Sequence, residues 1–158
     1  MDPFRRFYSE QCDRLYGYLA RKSGNCALAA DLVQESFARC WERYRHRHLT
    51  AALLFAVGRN LFYDHVRRSR HETSVTDLPE QQTIDEEQAY IQREESRLML
   101  AALQRLDEEE RDLLSLVASG SLSYREIAEL CHLSEAAIKV RVHRARQKLR
   151  ELLAKEHE

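Results

Sequence analysis

The sequence predicts an all-α protein built as two small helical domains joined by a flexible acidic linker, the C-terminal domain carrying a helix-turn-helix. Three observations lead there. The 158 residues include only 4 Gly and 2 Pro against 32% charged side chains, too few turn formers for hairpin-rich sheets or Gly-rich phosphate loops. Apolar residues recur at three- and four-residue spacing along most of the chain, the period of amphipathic helices. Charge is also segregated. Residues 1–75 hold 13 Lys+Arg and 8 Asp+Glu, residues 76–110 hold 3 and 11, and residues 111–158 hold 9 and 7, so the net charge of −1 hides two basic blocks around an acidic middle.

In the first helix Phe4, Phe7, Tyr8, Leu15, Tyr18 and Leu19 share a face, and Ser23-Gly24-Asn25 ends it. A second helix runs from about Ala27 to Tyr44. Leu28, Leu32, Val33, Phe37, Ala38 and Trp41 line its apolar side, while Asp31, Gln34, Glu35, Arg39 and Glu42 make a mixed polar surface suited to a partner. The third helix, about Thr50 to Arg70, is apolar on more than one side. Leu53, Leu54, Val57 and Leu61 are expected to face the core, whereas Ala56, Asn60, Tyr63 and Arg67 align within about 60° on another side. Phe55, Phe62 and Tyr63 are equally compatible with ordinary core packing.

Residues 72–89 have linker composition, with Pro79 and Thr/Gln-rich stretches, and divide the chain into domains 1–71 and 90–158. Fully extended, residues 72–85 would reach on the order of 45 Å. Beyond them Tyr90, Ile91, Leu98, Ala101, Ala102 and Leu106 mark one helix, and Leu113, Leu114, Leu116 and Val117 another that stops near Gly120. Ser123 and Glu126 then form the Ser-x-x-Glu capping box that starts a helix, whose inner side is Ile127, Ala128 and Cys131. After a turn at Leu133, Ser134 is a ready N-cap for a longer helix with Ile138, Val142, Ala145 and Leu149 inward. Short helix, tight turn and long helix in this order make a helix-turn-helix.

Several classes are excluded. The longest apolar run, Ala51 to Val57, is far short of the roughly 20 residues of a spanning helix, and no apolar signal region follows Met1 to Arg6, so a cytoplasmic protein is expected. Cys12, Cys26, Cys40 and Cys131 show no Cys-x-x-Cys spacing, and no metal or cofactor is expected. No Ser/His/Asp or paired-carboxylate constellation suggests an enzyme.

The chemistry that remains is nucleic-acid binding. The outer face of the last helix presents Lys139, Arg141, His143, Arg144, Arg146, Lys148 and Arg150. Cations at that density release condensed counterions from a duplex, and a bidentate Arg on guanine adds about 1–3 kcal/mol of selectivity. On the third helix the Ala56–Asn60–Tyr63–Arg67 strip suits unpaired bases, which stack on aromatic faces for about 1–3 kcal/mol each.

The residues Asp31-Leu32-Val33-Gln34-Glu35-Ser36-Phe37 with Trp41, then Leu54-Phe55-Ala56-Val57-Gly58-Arg59-Asn60 and Asp64-His65-Val66-Arg67-Arg68, resemble the second domain of bacterial extracytoplasmic-function (ECF) sigma factors. Leu122-Ser123-Tyr124-Arg125-Glu126-Ile127-Ala128-Glu129 and Ile138 to Arg146 resemble their fourth domain. The resemblance implies that Asp31, Gln34, Glu35 and Arg39 bind core RNA polymerase. It implies that the third helix and the loop before it capture and melt the minus-ten promoter element, with Asn60 reading a base. The last helix would read the minus-thirty-five element, with Lys139, Val140, His143 and Arg144 nearest the bases and Arg141 on phosphate, and an anti-sigma factor would hold the protein inactive. His132 stands where the family often has a turn Gly, and is asked to take a left-handed conformation that Gly adopts more easily.

Two other readings compete. A stand-alone helix-turn-helix regulator would bind duplex DNA tightly without polymerase. A redox or metal sensor would use Cys12, Cys26, Cys40 and the His46/His48 loop.

Overall fold

The computed structural model describes residues 2–44, 48–70 and 86–156, with the side chains of 86–92 and 156 excepted, and these residues form helices without strands. Helix α1 spans Pro3–Ser23, opened by a Pro in its first turn. It closes at Gly24, whose φ of 69° lets its N–H donate back to the Ala20 carbonyl at 2.8 Å. Helix α2, Cys26–Tyr44, starts where the Asn25 side chain accepts from the Leu28 N–H at 3.0 Å. Helix α3, Ala51–Ser69, is capped by the Thr50 hydroxyl, which accepts from the Leu53 N–H.

These three helices pack around Leu15, Tyr18, Leu19, Leu32, Val33, Phe37, Leu54 and Phe55, all buried. Gly58 sets how close α3 comes: a Cβ there would sit 3.1 Å from Leu15 Cδ1 and 3.2 Å from Ser36 Oγ. The buried face of α3 is therefore Leu54, Phe55, Gly58, Leu61 and Phe62, rotated from the expected Leu53–Leu54–Val57–Leu61 sector, of which Leu53 and Val57 are only half-buried. The cause is the close α1–α3 approach, which turns Phe55 onto Tyr18 with ring centroids 5.5 Å apart. On α2 the inward stripe centres on Leu32, Val33, Phe37 and Cys40. Ala38 is exposed, and Trp41 is 45% exposed, resting edge-on against Phe4.

Helix α4, Glu86–Arg105, begins inside the segment expected as linker, and the rest of that segment lies outside the described residues. Its buried positions include Ala102 and Leu103, while Ala101 is exposed. Helix α5, Glu108–Ala118, opens with a capping box in which Asp107 accepts from the Glu110 N–H at 2.8 Å and Glu110 accepts from the Asp107 N–H at 3.3 Å. Helices α6, Tyr124–Cys131, and α7, Glu135–Glu156, complete the chain and bury Ile127, Ile138, Val142 and Ala145 against Leu103, Leu106, Leu113 and Leu116.

The two helical groups share one continuous core. Helix α5 lies along α1, the end of α4 reaches the end of α1, and α6 touches α3. The seam carries long-range hydrogen bonds: Arg21 donates to the Ser115 carbonyl at 3.0 Å, Gln104 to the Arg21 carbonyl at 2.9 Å, and Ser121 to Gln11 at 2.8 Å.

Candidate nucleic-acid interface

Local chemistry builds the helix-turn-helix. The Ser123 hydroxyl accepts from the Glu126 N–H at 3.1 Å and the Glu126 carboxylate accepts from the Ser123 N–H at 2.9 Å, satisfying two orphan donors of α6. His132 then takes φ 57°, ψ 43°, the left-handed conformation expected of it. Its N–H reaches the Glu129 carbonyl and the Leu133 N–H reaches the Ala128 carbonyl at 3.0 Å, the paired bonds of a Schellman ending. Ser134 accepts from the Ala137 N–H at 3.1 Å and so starts α7.

Helix α7 presents Lys139, Val140, His143, Arg144 and Arg146 to solvent, with Val140 a rare exposed aliphatic at 49%. Arg141 is half-buried and ion-paired with Glu109, and Lys148 pairs with Glu110 at 3.0 Å. Thus two of the basic groups on this helix pair with carboxylates of α5 while remaining partly open to solvent.

On α3, Asn60 and Arg67 are exposed and Ala56 is half-buried. Asn60, Tyr63, Val66 and Arg67, with Asp64 and Arg70, line an open cavity of about 530 Å³. Arg67 is paired with Asp64 along the helix. The four expected residues lie along one side of α3, and the Tyr63 hydroxyl is hydrogen-bonded to Lys22 and Glu108 in the seam. Residues 45–47 of the loop expected to help melt DNA lie outside the described residues; His48 within it is exposed. On α2, Asp31, Gln34 and Glu35 are exposed and Arg39 is half-exposed. Arg39 bonds Glu35 at 3.2 Å, and Gln34 donates to the Tyr8 hydroxyl at 3.1 Å.

The seam holds a buried polar cluster. Lys22 Nζ donates to the Tyr63 hydroxyl at 2.8 Å and lies 2.6 Å from Glu108 Oε1 and 2.9 Å from Asp112 Oδ1, so its three protons meet three acceptors. Asp112 Oδ1 also accepts from the Tyr18 hydroxyl at 2.6 Å, and its Oδ2 accepts from Arg59 Nε at 3.0 Å. The Tyr63 hydroxyl donates in turn to Glu108 Oε1 at 2.8 Å. Lys22 and Asp112 are 0% and 4% exposed at the side chain, and two cations against two carboxylates leave the group neutral. Burial, then the nearby Asp112 charge, pushes the Tyr18 and Tyr63 phenols well above their ordinary range.

The sequence reading left out Lys22, Arg59, Glu108 and Asp112. Position was the signal that could have found them. Lys22 continues the Leu15–Tyr18 stripe, four residues after Tyr18, and Arg59 sits between Phe55 and Phe62, so each is a charge inside an apolar face. Cys40 is fully buried, and burial raises its thiol and that of Cys131, so both favour the protonated form.

Comparison with known proteins bears on the family and the fold. Residues 7–72 match the model of Sigma-70 region 2, and residues 96–149 match that of Sigma-70, region 4. The chain is 33% identical over 156 residues to ECF RNA polymerase sigma factor SigL of Mycobacterium tuberculosis, covering 92% of this chain and 86% of that one. It is 36% identical to ECF RNA polymerase sigma factor EcfG of Rhodopseudomonas palustris, covering 83% and 74%. Among solved structures it resembles the sigma factor RpoE of Bartonella quintana in complex with the anti-sigma factor NepR, at 26% identity, 96% coverage of both chains and a TM-score of 0.72. Fold and matches define the class, a sigma-70-type transcription initiation factor with a helix-turn-helix in its second half. Within that class the chain belongs to the ECF sigma factors.

Proposed function

We propose that this protein binds core RNA polymerase, directs it to a specific promoter set, and is held in check by an anti-sigma factor. The observation that carries the reading is one chain holding both an α3 cavity edged by an exposed amide, Asn60, and a capped helix-turn-helix with a basic outer face. Residues 1–71 serve as the polymerase-binding and minus-ten domain, and residues 90–158 as the minus-thirty-five domain.

On α7, Lys139, Val140, His143 and Arg144 approach base edges in the major groove, where Val140 suits a thymine methyl and Arg144 a guanine. Arg141 and Arg146 take phosphates, Arg141 exchanging Glu109 for DNA. On α3, Asn60 hydrogen-bonds an extruded base beside Ala56 and Arg67, with Tyr63 available for stacking once its hydroxyl leaves the seam. The exposed Asp31–Gln34–Glu35–Arg39 face of α2 docks on the polymerase. The protein performs no reaction of its own; nucleotide addition belongs to the polymerase. Control by an anti-sigma factor is supported by the similar Bartonella quintana protein, whose structure holds one.

The test is reconstitution. Purified protein co-elutes with core polymerase and starts transcripts at discrete sites in a run-off assay on genomic fragments. No specific transcript on any fragment would defeat the reading.

A further inference from the structure

The polar cluster in the seam is unusual because its cations come from the half that carries the candidate strand-binding helix, and its anions come from α5 of the other half. Lys22, Arg59 and Tyr63 place an ammonium, a guanidinium and an aromatic ring together: Lys22 Nζ and Arg59 Cζ lie 4.5 Å and 5.0 Å from the Tyr63 ring centroid. Two cations flanking an aromatic face is the chemistry that holds a nucleic-acid strand, phosphates on the cations and a base on the ring. Helix α5 opens with Glu108, Glu109, Glu110 and, one turn on, Asp112. Glu108 and Asp112 hold Lys22 and Arg59, while Glu109 and Glu110 hold Arg141 and Lys148 of α7. One acidic turn thus contacts basic side chains of both candidate DNA-binding surfaces.

We propose that Lys22, Arg59 and Tyr63 form a binding site for the sugar-phosphate backbone of the melted promoter strand, and that Glu108 and Asp112 of α5 occupy it in the phosphates' place while the two halves are closed. The proposal rests on the sigma-factor reading. Size supports it independently of charge: a compact chain of 158 residues is roughly 40 Å across. Promoter elements centred near minus-ten and minus-thirty-five lie on the order of 80 Å apart along B-form DNA. Both cannot be read from the closed form. Opening the seam frees Lys22 and Arg59 beside the cavity edged by Asn60, and a strand that takes them prevents reclosure. DNA and closure therefore compete for the same two cations.

The experiment uses the full chain with Glu108→Gln and Asp112→Asn together and a fluorescein-labelled oligothymidylate strand, read by anisotropy across a salt series. Two freed cations predict roughly tenfold tighter strand binding at low salt and a log–log salt slope steeper by about 1.4 than for the unsubstituted protein. Small-angle scattering should show a larger radius of gyration for the double variant. Adding Lys22→Met and Arg59→Gln to it should return affinity and slope to the starting values. Equal affinity and slope in the acidic variant and the unsubstituted protein overturn the proposal.

If the double variant does not fold, Arg59→Gln alone in the promoter complex with core polymerase decides: permanganate reactivity of the melted strand should be lost at lower salt than with Arg59. Unchanged salt tolerance overturns the proposal equally. Failure of the unsubstituted protein to start any specific transcript would instead sink the sigma-factor reading, so the two failures are separable.

Discussion

Asp112 accepts from Tyr18 on one oxygen and from Arg59 on the other, with Lys22 close by, so each buried charge in the seam is matched by a partner. Breaking such a set by deleting one member strands the rest. Lys22→Met is expected to lower unfolding stability by about 3 kcal/mol, measured by urea denaturation. A loss below about 0.5 kcal/mol would mean that the cluster rehydrates freely. Tyr18→Phe removes a buried bond to a carboxylate and is expected to cost about 1.5–3 kcal/mol by the same measurement. Stability should also depend on alkaline pH. The Tyr18 phenol is raised by burial and by Asp112, so the native state keeps a proton that the unfolded chain gives up near its ordinary value of 10.0. Its contribution is complete below about pH 10 and is lost as pH rises beyond it. The urea midpoint should fall above about pH 10, and Tyr18→Phe should flatten that fall. None of these partnerships could be read from the sequence, because they join residues 41 to 94 positions apart. What the sequence does show is a lone Lys or Arg on an apolar stripe, a hint of a buried partner without its identity.

Helices α6 and α7 were expected correctly because their determinants are local: a hydroxyl and a carboxylate three residues apart, a second hydroxyl at Ser134, and a 3.6-residue stripe. Ser123→Ala is expected to cost about 1 kcal/mol. His132→Gly should raise stability by up to about 1 kcal/mol, since a left-handed L-residue costs more than glycine's added unfolded-state freedom. Calorimetric midpoints of the two variants, shifting in opposite directions, check both statements. Arg144→Ala should relax preference at one base step of the minus-thirty-five element. Arg141→Ala should weaken all sequences alike and flatten the salt dependence, and identical behaviour of the two would refute the assigned roles. The capping box at Asp107 is as local as that at Ser123, yet it lay within an acidic run read as part of the charged middle. The same bias set the linker's end at 89, whereas no Gly or Pro after Pro79 stops α4 from beginning at Glu86.

Across the whole molecule the charge pattern has a second meaning beyond the tether expected from it. Part of the acidic middle, from Glu108 to Glu110, is helical and is pressed against the basic segments on either side, which composition alone could not distinguish from a solvated linker. The two-part all-α architecture was legible in the periodicity and in the Gly/Pro scarcity. The packing of the two parts was not, because it depends on side chains meeting across the seam. Asn60→Ala, exposed and outside that packing, should leave polymerase binding intact and abolish promoter opening; unchanged permanganate reactivity would contradict its role. The central claim, that the chain gives core RNA polymerase its promoter choice, is tested most directly by sequencing the 5′ ends of transcripts made by core polymerase on genomic DNA with and without this protein. The account predicts new starts that share two spaced sequence elements upstream and that vanish with Asn60→Ala. Starts identical in both reactions would contradict it.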